Sequence, residues 1–427
     1  MTLLAQAQSR EGADPAADVS TLTSMAPELQ LDAPRRQARS IRNDAAIHEA
    51  VVALAEAVGW QGMNLQRIAQ AAGLARPSVL TRYKDRSQAA AGTWAARLAE
   101  PVRQGLAGVV DAADAASRTG DGKALGAAMR PFIDPGPDLR AAAEILLVGR
   151  HDPHVHTALE ASLVPALDGW LTPVPGSLTP TSAAIRAYMC NVALGLLIEA
   201  RRHSAADWDF TREMDHMAHA CAKPSPDSPL PDAPAPHLDR VDNFDTGDPR
   251  LNSLLRATLE EVAARGYEAA TIEVIAGASG HTPGLAFSRY PSKRDLFLDA
   301  TRRYQAIAAE LNETYRQAIA ARTTLGIAEA VTTRELMRPE RRQIMTVTLE
   351  TYRLSWHDPD TLATIDAGYA GILHRLAVQD PTRTPAQVQA WLVTELARGN
   401  GPLVLAGLTD RAWNLPYHVL TQPLVDA

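Results

Sequence analysis

The chain has 427 residues, 46% of them hydrophobic and 21% charged, which is too long for one ordinary domain and rich enough in apolar side chains to bury cores. Two cysteines, Cys190 and Cys221, exclude a disulfide framework and point to a reducing cytoplasm, and no apolar run, the longest being residues 192–198, approaches the roughly 18–20 residues that span a bilayer. The net charge of −7 argues against nucleic-acid binding only as an average, because residues 35–86 hold nine Lys/Arg against four Asp/Glu and residues 250–303 hold eight against six.

Residues 1–39 are rich in Ala, Asp and Gln without periodicity and read as a disordered tail. They lack the basic start and apolar centre of a secretory signal. Residues 40–90 read as three helices. Ile47, Ala50, Val51, Leu54, Ala55 and Val58 form one apolar stripe at helical spacing, and Gly59 suits its left-handed stop. Asn64 caps a second helix whose inner face is Leu65, Ile68 and Ala69; Gly73 supplies a turn, and a short helix follows over residues 76–83. Residues 91–222 read as a helical body punctuated by Pro101, Pro131, Pro153 and Pro180. Residues 223–248 carry six prolines and several aspartates and read as a linker that spans at most ~85 Å.

The remainder repeats that logic. Over residues 249–297, Leu251, Leu254, Leu255, Leu259 and Val262 line a first helix, and Gly266 ends it. Thr271 caps a second over Ile272, Ile275 and Ala276, Gly280 turns, Thr282 caps a third, and Pro283 takes its first position. A second helical body follows over residues 298–427. The recurrence is one of identity as well as pattern. Gly59-Trp60, Ile68-Ala69, Gly73 and Arg82-Tyr83 return as Gly266-Tyr267, Ile275-Ala276, Gly280 and Arg289-Tyr290, about 207 positions on. Met129-Arg130-Pro131 and His151-Asp152-Pro153 return as Met337-Arg338-Pro339 and His357-Asp358-Pro359 at nearly the same displacement, and Trp208 as Trp413. The shared order makes the two halves diverged copies of one unit.

Two short helices joined by a glycine turn form the motif that lays its second helix in the major groove. Both copies resemble the N-terminal module of the TetR family of regulators. The second does so through Gly266-Tyr267, Thr271, Ile275-Ala276, Gly280, Thr282, Gly284, Phe287, Tyr290, Ser292-Lys293 and Leu296-Phe297. The first does so through Gly59-Trp60, Asn64, Ile68-Ala69, Ala72-Gly73, Tyr83 and Arg86. The likeness covers about 50 residues per copy. Where the family usually has Tyr-x-His-Phe, this chain has Leu80-Thr81-Arg82-Tyr83 and Phe287-Ser288-Arg289-Tyr290, so the tyrosine hydroxyl usual at the first of those positions is absent and Arg replaces His in both. The first copy also has Pro77 where glycine is common.

The resemblance implies an all-α fold of two tandem TetR-like units, each a helix-turn-helix head followed by a helical ligand and pairing domain. It places Arg76, Ser78 and Thr81, with Pro283, Leu285 and Ser288, toward base edges of double-stranded operator DNA. Pro77, Thr282 and Gly284 stand on the same reading helices. Arg82, Tyr83, Lys84, Arg86, Arg289, Tyr290 and Lys293 are placed nearer phosphates. Because RPSVLTRY and PGLAFSRY differ, the two heads are expected to prefer unlike half-sites. By the same resemblance the bodies bind a small-molecule effector and pair. Residues 181–202 and 385–408 are the expected pairing helices. Their small-residue faces run through Ala187, Cys190, Asn191, Leu194, Gly195 and Ile198, and through Leu392, Leu396, Gly399, Leu403 and Gly407. Pairing within one chain gives an intramolecular pseudo-dimer, with further homodimerisation open.

Trp170, Tyr188 and Asn191 in the first body, and Tyr352, Trp356 and Trp391 in the second, are candidate ligand residues; ordinary core aromatics are the open alternative. His151, His154 and His156, and likewise His216, His219 and Cys221, have ligand-type side chains, but a turn-and-cap role for His-Asp-Pro is more economical and no metal or cofactor is expected. No phosphate loop, nucleophile elbow or dinucleotide fingerprint occurs, so an enzyme is not expected. The reading is a cytoplasmic ligand-responsive repressor; the rival is a small-molecule-binding scaffold in which one or both heads no longer bind DNA.

Overall fold

The structure is a computed structural model that describes residues 26–201, 207–235, 244–339 and 342–426. Residues 1–25 of the expected tail, 236–243 of the expected linker and Arg202 lie outside the described residues. The described residues are all-α, with an isolated antiparallel bridge between Val174 and Leu178. Backbone contacts divide the chain into Met1–Ala46 and Ile47–Ala427. Within the first unit, helix starts at Ala26, inside the segment read from sequence as a disordered tail.

The first head comprises α1 (Ala26–Ala57), α2 (Gly59–Gly62), α3 (Leu65–Ala71) and α4 (Arg76–Leu80). From Ile47 onward α1 buries Ile47, Ala50, Val51, Val52 and Ala55, and Ile68, Ala69 and Val79 meet the same core. Asn64 Oδ1 accepts from the Arg67 amide at 2.9 Å, which satisfies one of the orphan donors at the start of α3. Gly73 has φ 66°, a left-handed conformation that lets the chain reverse between α3 and α4.

The first body follows as α5 (Arg86–Thr93), a π-helical turn (Trp94–Leu98), α6 (Ala99–Thr119), α7 (Gly122–Ile133), α8 (Pro137–Val148), α9 (Pro153–Leu171), α10 (Pro180–Ala200) and α11 (Thr211–Ala222). Asp152 accepts from the His154 and Val155 amides, so His-Asp-Pro here caps α9 with Pro153 at its first position. The second half runs through α12 (Pro249–Ala269), α13 (Ile272–Ala278), α14 (Pro283–Arg289), α15 (Lys293–Ala320), α16 (Leu325–Leu336), α17 (Arg342–Ser355), α18 (Pro359–Gln379), α19 (Pro385–Ala406) and α20 (His418–Val425). Gly266 (φ 79°) breaks α12 before Tyr267, and Gly280 (φ 74°) turns α13 into α14.

Two stretches differ from their sequence reading. Residues 223–235 are non-helical but not a loose tether. Ser225 N–H donates to the Val419 carbonyl at 2.8 Å, Ser228 N–H to His418 Nε2 at 3.0 Å, and Arg334 Nη2 to the Pro231 carbonyl at 2.8 Å. The non-proline residues of the segment still donate and its prolines still accept, and the second body supplies the partners for both. The second difference is α10, which by length and composition is apolar enough to cross a membrane. In this fold 83% of that window is buried inside the protein, much of it against α19.

The crossing of α10 and α19 is close enough to exclude side chains. A methyl group on Gly195 would overlap the Ala397 carbonyl, and one on Gly401 would overlap the Asn191 carbonyl. The contact is reciprocal: each glycine faces the residue four before the other glycine. The sequence stripe placed Gly399 and Gly407 on this face. The structure places Gly401 there instead, and Gly399 meets nothing within 4 Å. Each residue turns the helix by about 100°, so neighbouring glycines face different directions.

Candidate nucleic-acid interface

Both short third helices present a surface held from behind by one buried residue, Val79 in α4 and Ala286 in α14. In α4, Arg76, Pro77 and the following Thr81 are exposed and Ser78 is half-buried. In and beside α14, Thr282, Gly284 and Ser288 are exposed, and Pro283 and Leu285 are half-buried. Two residues not expected at the site stand out on the same faces. Leu80 is 42% exposed and Phe287 is 57% exposed, at corresponding positions. The signal was in the sequence: both are apolar where the family pattern has a tyrosine.

Apart from Lys84, the cations expected beside phosphates have internal partners. Arg86 lies over the Trp60 ring, 4.4 Å from its centroid, and Nη1 donates to the Trp60 carbonyl at 2.9 Å. Lys293 does the same with Tyr267, at 4.0 Å from the ring and 2.7 Å to the carbonyl. Burial lowers the pKa of both, yet each retains a carbonyl and an aromatic face as partners. Their geometry is that of a strut from the first turn of α5 or α15 to the segment that follows Gly59 or Gly266. Arg82 Nη1 donates to the Ser78 carbonyl at 3.0 Å. Arg289 pairs with Asp248 at 2.7 Å, Tyr290 OH donates to Asp299 at 2.7 Å, and Tyr83 OH lies 2.9 Å from His48 Nε2. Lys84 is exposed and borders a groove lined also by Asn64, Gln66, Arg76 and Arg86. The first head therefore offers Arg76 and Lys84 to solvent beside its third helix, while the second offers Phe287 and Ser288.

Each head is tied to a body by a backbone amide and a buried glutamate. The Trp60 amide donates to Glu144 Oε1 at 2.7 Å, and the Tyr267 amide to Glu350 Oε2 at 3.4 Å. Histidines then cross between the halves. His357 Nε2 lies 3.4 Å from Glu144 and its ring abuts Gly59; His151 Nε2 lies 3.4 Å from Glu350 and its ring abuts Gly266. A single guanidinium joins the two sides. Arg353 donates to Glu144 at 3.0 Å, to Glu350 at 2.8 Å and to Glu268 at 2.7 Å. Burial pushes the carboxyls of Glu144 and Glu350 up. Arg353, together with His357 or His151, more than offsets this and holds both below the usual carboxylate range. Sequence reasoning missed this cluster, because nothing in the spacing of Glu144, Glu268, Glu350 and Arg353 marks them as neighbours.

The candidate ligand residues are not brought together. Tyr352 lines a cavity of ≈ 550 Å³ in the second body. Trp356 instead lies under Arg201, 5.0 Å from ring to guanidinium, and Trp391 lies under Arg383 at 4.2 Å. Tyr188 is buried below Arg398, Asn191 sits at the α10–α19 crossing, and Trp170 is half-buried at the edge of the first body. The cavity shares α17 with the head cluster: Thr351 and Tyr352 face the cavity, while Glu350 and Arg353 face the heads.

Residues 254–300, from within α12 through α13 and α14 into the start of α15, match the sequence profile of bacterial regulatory proteins of the tetR family. No curated protein matches the chain.

Proposed function

We propose that the chain is a DNA-binding transcription regulator made of two fused TetR-like units, which pair within one polypeptide and read an asymmetric operator under the control of a small molecule. The observation that carries this reading is the reciprocal crossing of Gly195 on Ala397 and Gly401 on Asn191, because a pair of equivalent helices meets there as two subunits of a dimer would. The profile match of residues 254–300 supports the DNA-binding role. The repeat of Glu144 and His357 on one side as Glu350 and His151 on the other supports two equivalent heads on one frame. Repression follows from occupying the operator. Release follows when a ligand beside Tyr352 displaces α17, whose other face holds Glu350 and Arg353.

The test is a gel shift against DNA upstream of the chain's own gene, over a series of salt concentrations. A retarded band is expected whose affinity falls steeply with salt, because neutralised phosphates release counterions. A band absent at low salt, or indifferent to salt, would refute DNA regulation. The base-facing roles of Arg76, Ser78 and Thr81 and of Pro283, Leu285 and Ser288 are part of the proposal. Arg76→Ala is expected to weaken binding by about 1–3 kcal/mol, roughly 5- to 150-fold, and to relax preference in one half-site only. Footprints that fade equally in both halves would contradict unlike heads.

A second reading, in which the second head has given up DNA, is favoured by the pairing of Arg289 with Asp248 and by exposed Phe287. It predicts a footprint confined to one half-site.

A further inference from the structure

We propose that the chain has one effector site and not two: the second body holds an open cavity for a neutral ring compound, and in the first body Trp94 fills the corresponding space as a built-in substitute for that ligand. The proposal rests on the ligand response described above, and adds to it the number of sites and the chemistry of the occupant.

The cavity of ≈ 550 Å³ falls within the roughly 300–1,000 Å³ of small-molecule sites. It is lined by Thr301, Tyr304, Asn312, Thr351, Tyr352 and Tyr369 among apolar side chains. Thr301 is 2% exposed, and its Oγ1 is buried without a hydrogen-bond partner. A buried hydroxyl left unpaired is a standing penalty that a ligand polar group would remove. Among the described residues the lining contains no carboxylate, and the cation among them, Arg302, is paired with Asp299 at 2.5 Å. An ionic ligand would therefore enter without a counter-charge, so the site suits an uncharged molecule.

The same positions in the first body, about 206 residues earlier, carry a different set. Trp94 stands for Thr301, Ile145 for Thr351, Leu146 for Tyr352 and Leu163 for Tyr369. All four are buried, Trp94 completely, and its indole N–H donates to Ser162 Oγ at 2.8 Å. Where α15 runs unbroken past Thr301, the first half widens into the π-helical turn Trp94–Leu98. Such a turn inserts extra backbone around a functional or bulky side chain. Small hydroxyl residues around space in one half face a large apolar set around an indole in the other. That contrast defines the occupant as a bicyclic or larger uncharged ring system with one hydrogen-bonding group directed at Thr301.

The probe is N-phenyl-1-naphthylamine, a neutral ring compound that fluoresces in apolar surroundings, titrated into the full chain without DNA. One probe per chain is expected, with binding at least tenfold weaker in Thr301→Trp and in the second filling variant Thr351→Phe. No binding, two probes per chain, or binding that survives both fillings in folded protein would overturn the proposal. Trp94→Gly supplies an independent arm. Its melting temperature is expected to fall and to be restored by millimolar indole; an unchanged melting temperature or failure of rescue would overturn the role of Trp94. Neither arm involves DNA, so failure of DNA binding leaves them interpretable, and their failure leaves the gel shift untouched.

Discussion

Gly401→Ala is expected to lower the stability of the chain by at least about 3 kcal/mol, at the upper end for overpacking a core, because the added methyl would meet backbone and not a movable side chain. The atom in its path is the Asn191 carbonyl oxygen on α10. Relief requires moving two helices apart, and that would open the contact of Gly195 on Ala397 as well. Gly399→Ala, two residues away on the same helix, is the matched control. Its methyl meets nothing within 4 Å, so the usual preference of helix for alanine should stabilise the chain by about 0.5–1 kcal/mol. Urea midpoints and melting temperatures of the two variants should move in opposite directions. Equal shifts would mean that α10 and α19 do not cross at Gly401.

Arg353→Leu is expected to destabilise the chain by about 3–5 kcal/mol at neutral pH, because it strands buried carboxylates that the arginine now serves. Glu144, Glu350 and Arg353 are all essentially excluded from solvent, so neither water nor salt can substitute for the guanidinium. Leu147 stands three residues after Glu144 as Arg353 stands three after Glu350, and it is buried without a charge.

The pH dependence has a definite sign. In the native chain both carboxyls sit below their ordinary value of 4.5. Their contribution to stability is therefore complete above the unfolded-state value and is lost as pH falls through the lower folded value. Without Arg353 the burial that pushes them up is no longer offset, and the folded values rise above the unfolded one. Stability then falls as pH rises through that window. Urea midpoints should accordingly be closer to the parent's at pH 5 than at pH 8. Arg353→Lys, which retains a charge but not the forked geometry, should lie between. A loss in Arg353→Leu that is independent of pH would show that packing, and not charge, is what Arg353 supplies.

The same cluster gives α17 two faces. Thr351 and Tyr352 line the cavity, while Glu350 accepts from the Tyr267 amide and Arg353 reaches Glu144, which in turn accepts from the Trp60 amide. In the proposed function, this contiguous chain of buried contacts is the route by which a ligand beside Tyr352 would be felt at Trp60 and Tyr267.

Local features were legible from the sequence because they depend on residues a few positions apart. Asn64 and Thr271 as helix caps, Gly73 and Gly280 as left-handed turns, and Pro153 and Pro385 at helix starts follow from backbone sterics and orphan amides alone. The recurrence of identities about 207 positions apart was legible for a different reason, because it lies in the order of residues and needs no fold to be seen. Which face of α19 meets α10 was not legible: Gly399 and Gly401 are equally small, and only the partner helix selects between them. The partners of Arg86, Lys293 and Arg353 were not legible either. Their carbonyl, aromatic and carboxylate neighbours come from distant segments, and long side chains take whichever desolvated partner the fold brings near. The sequence by itself thus determined the helices and their caps. The tertiary structure alone decided where a cavity lies, since Thr301, Thr351 and Tyr352 come from separate helices and border one space only once those helices pack.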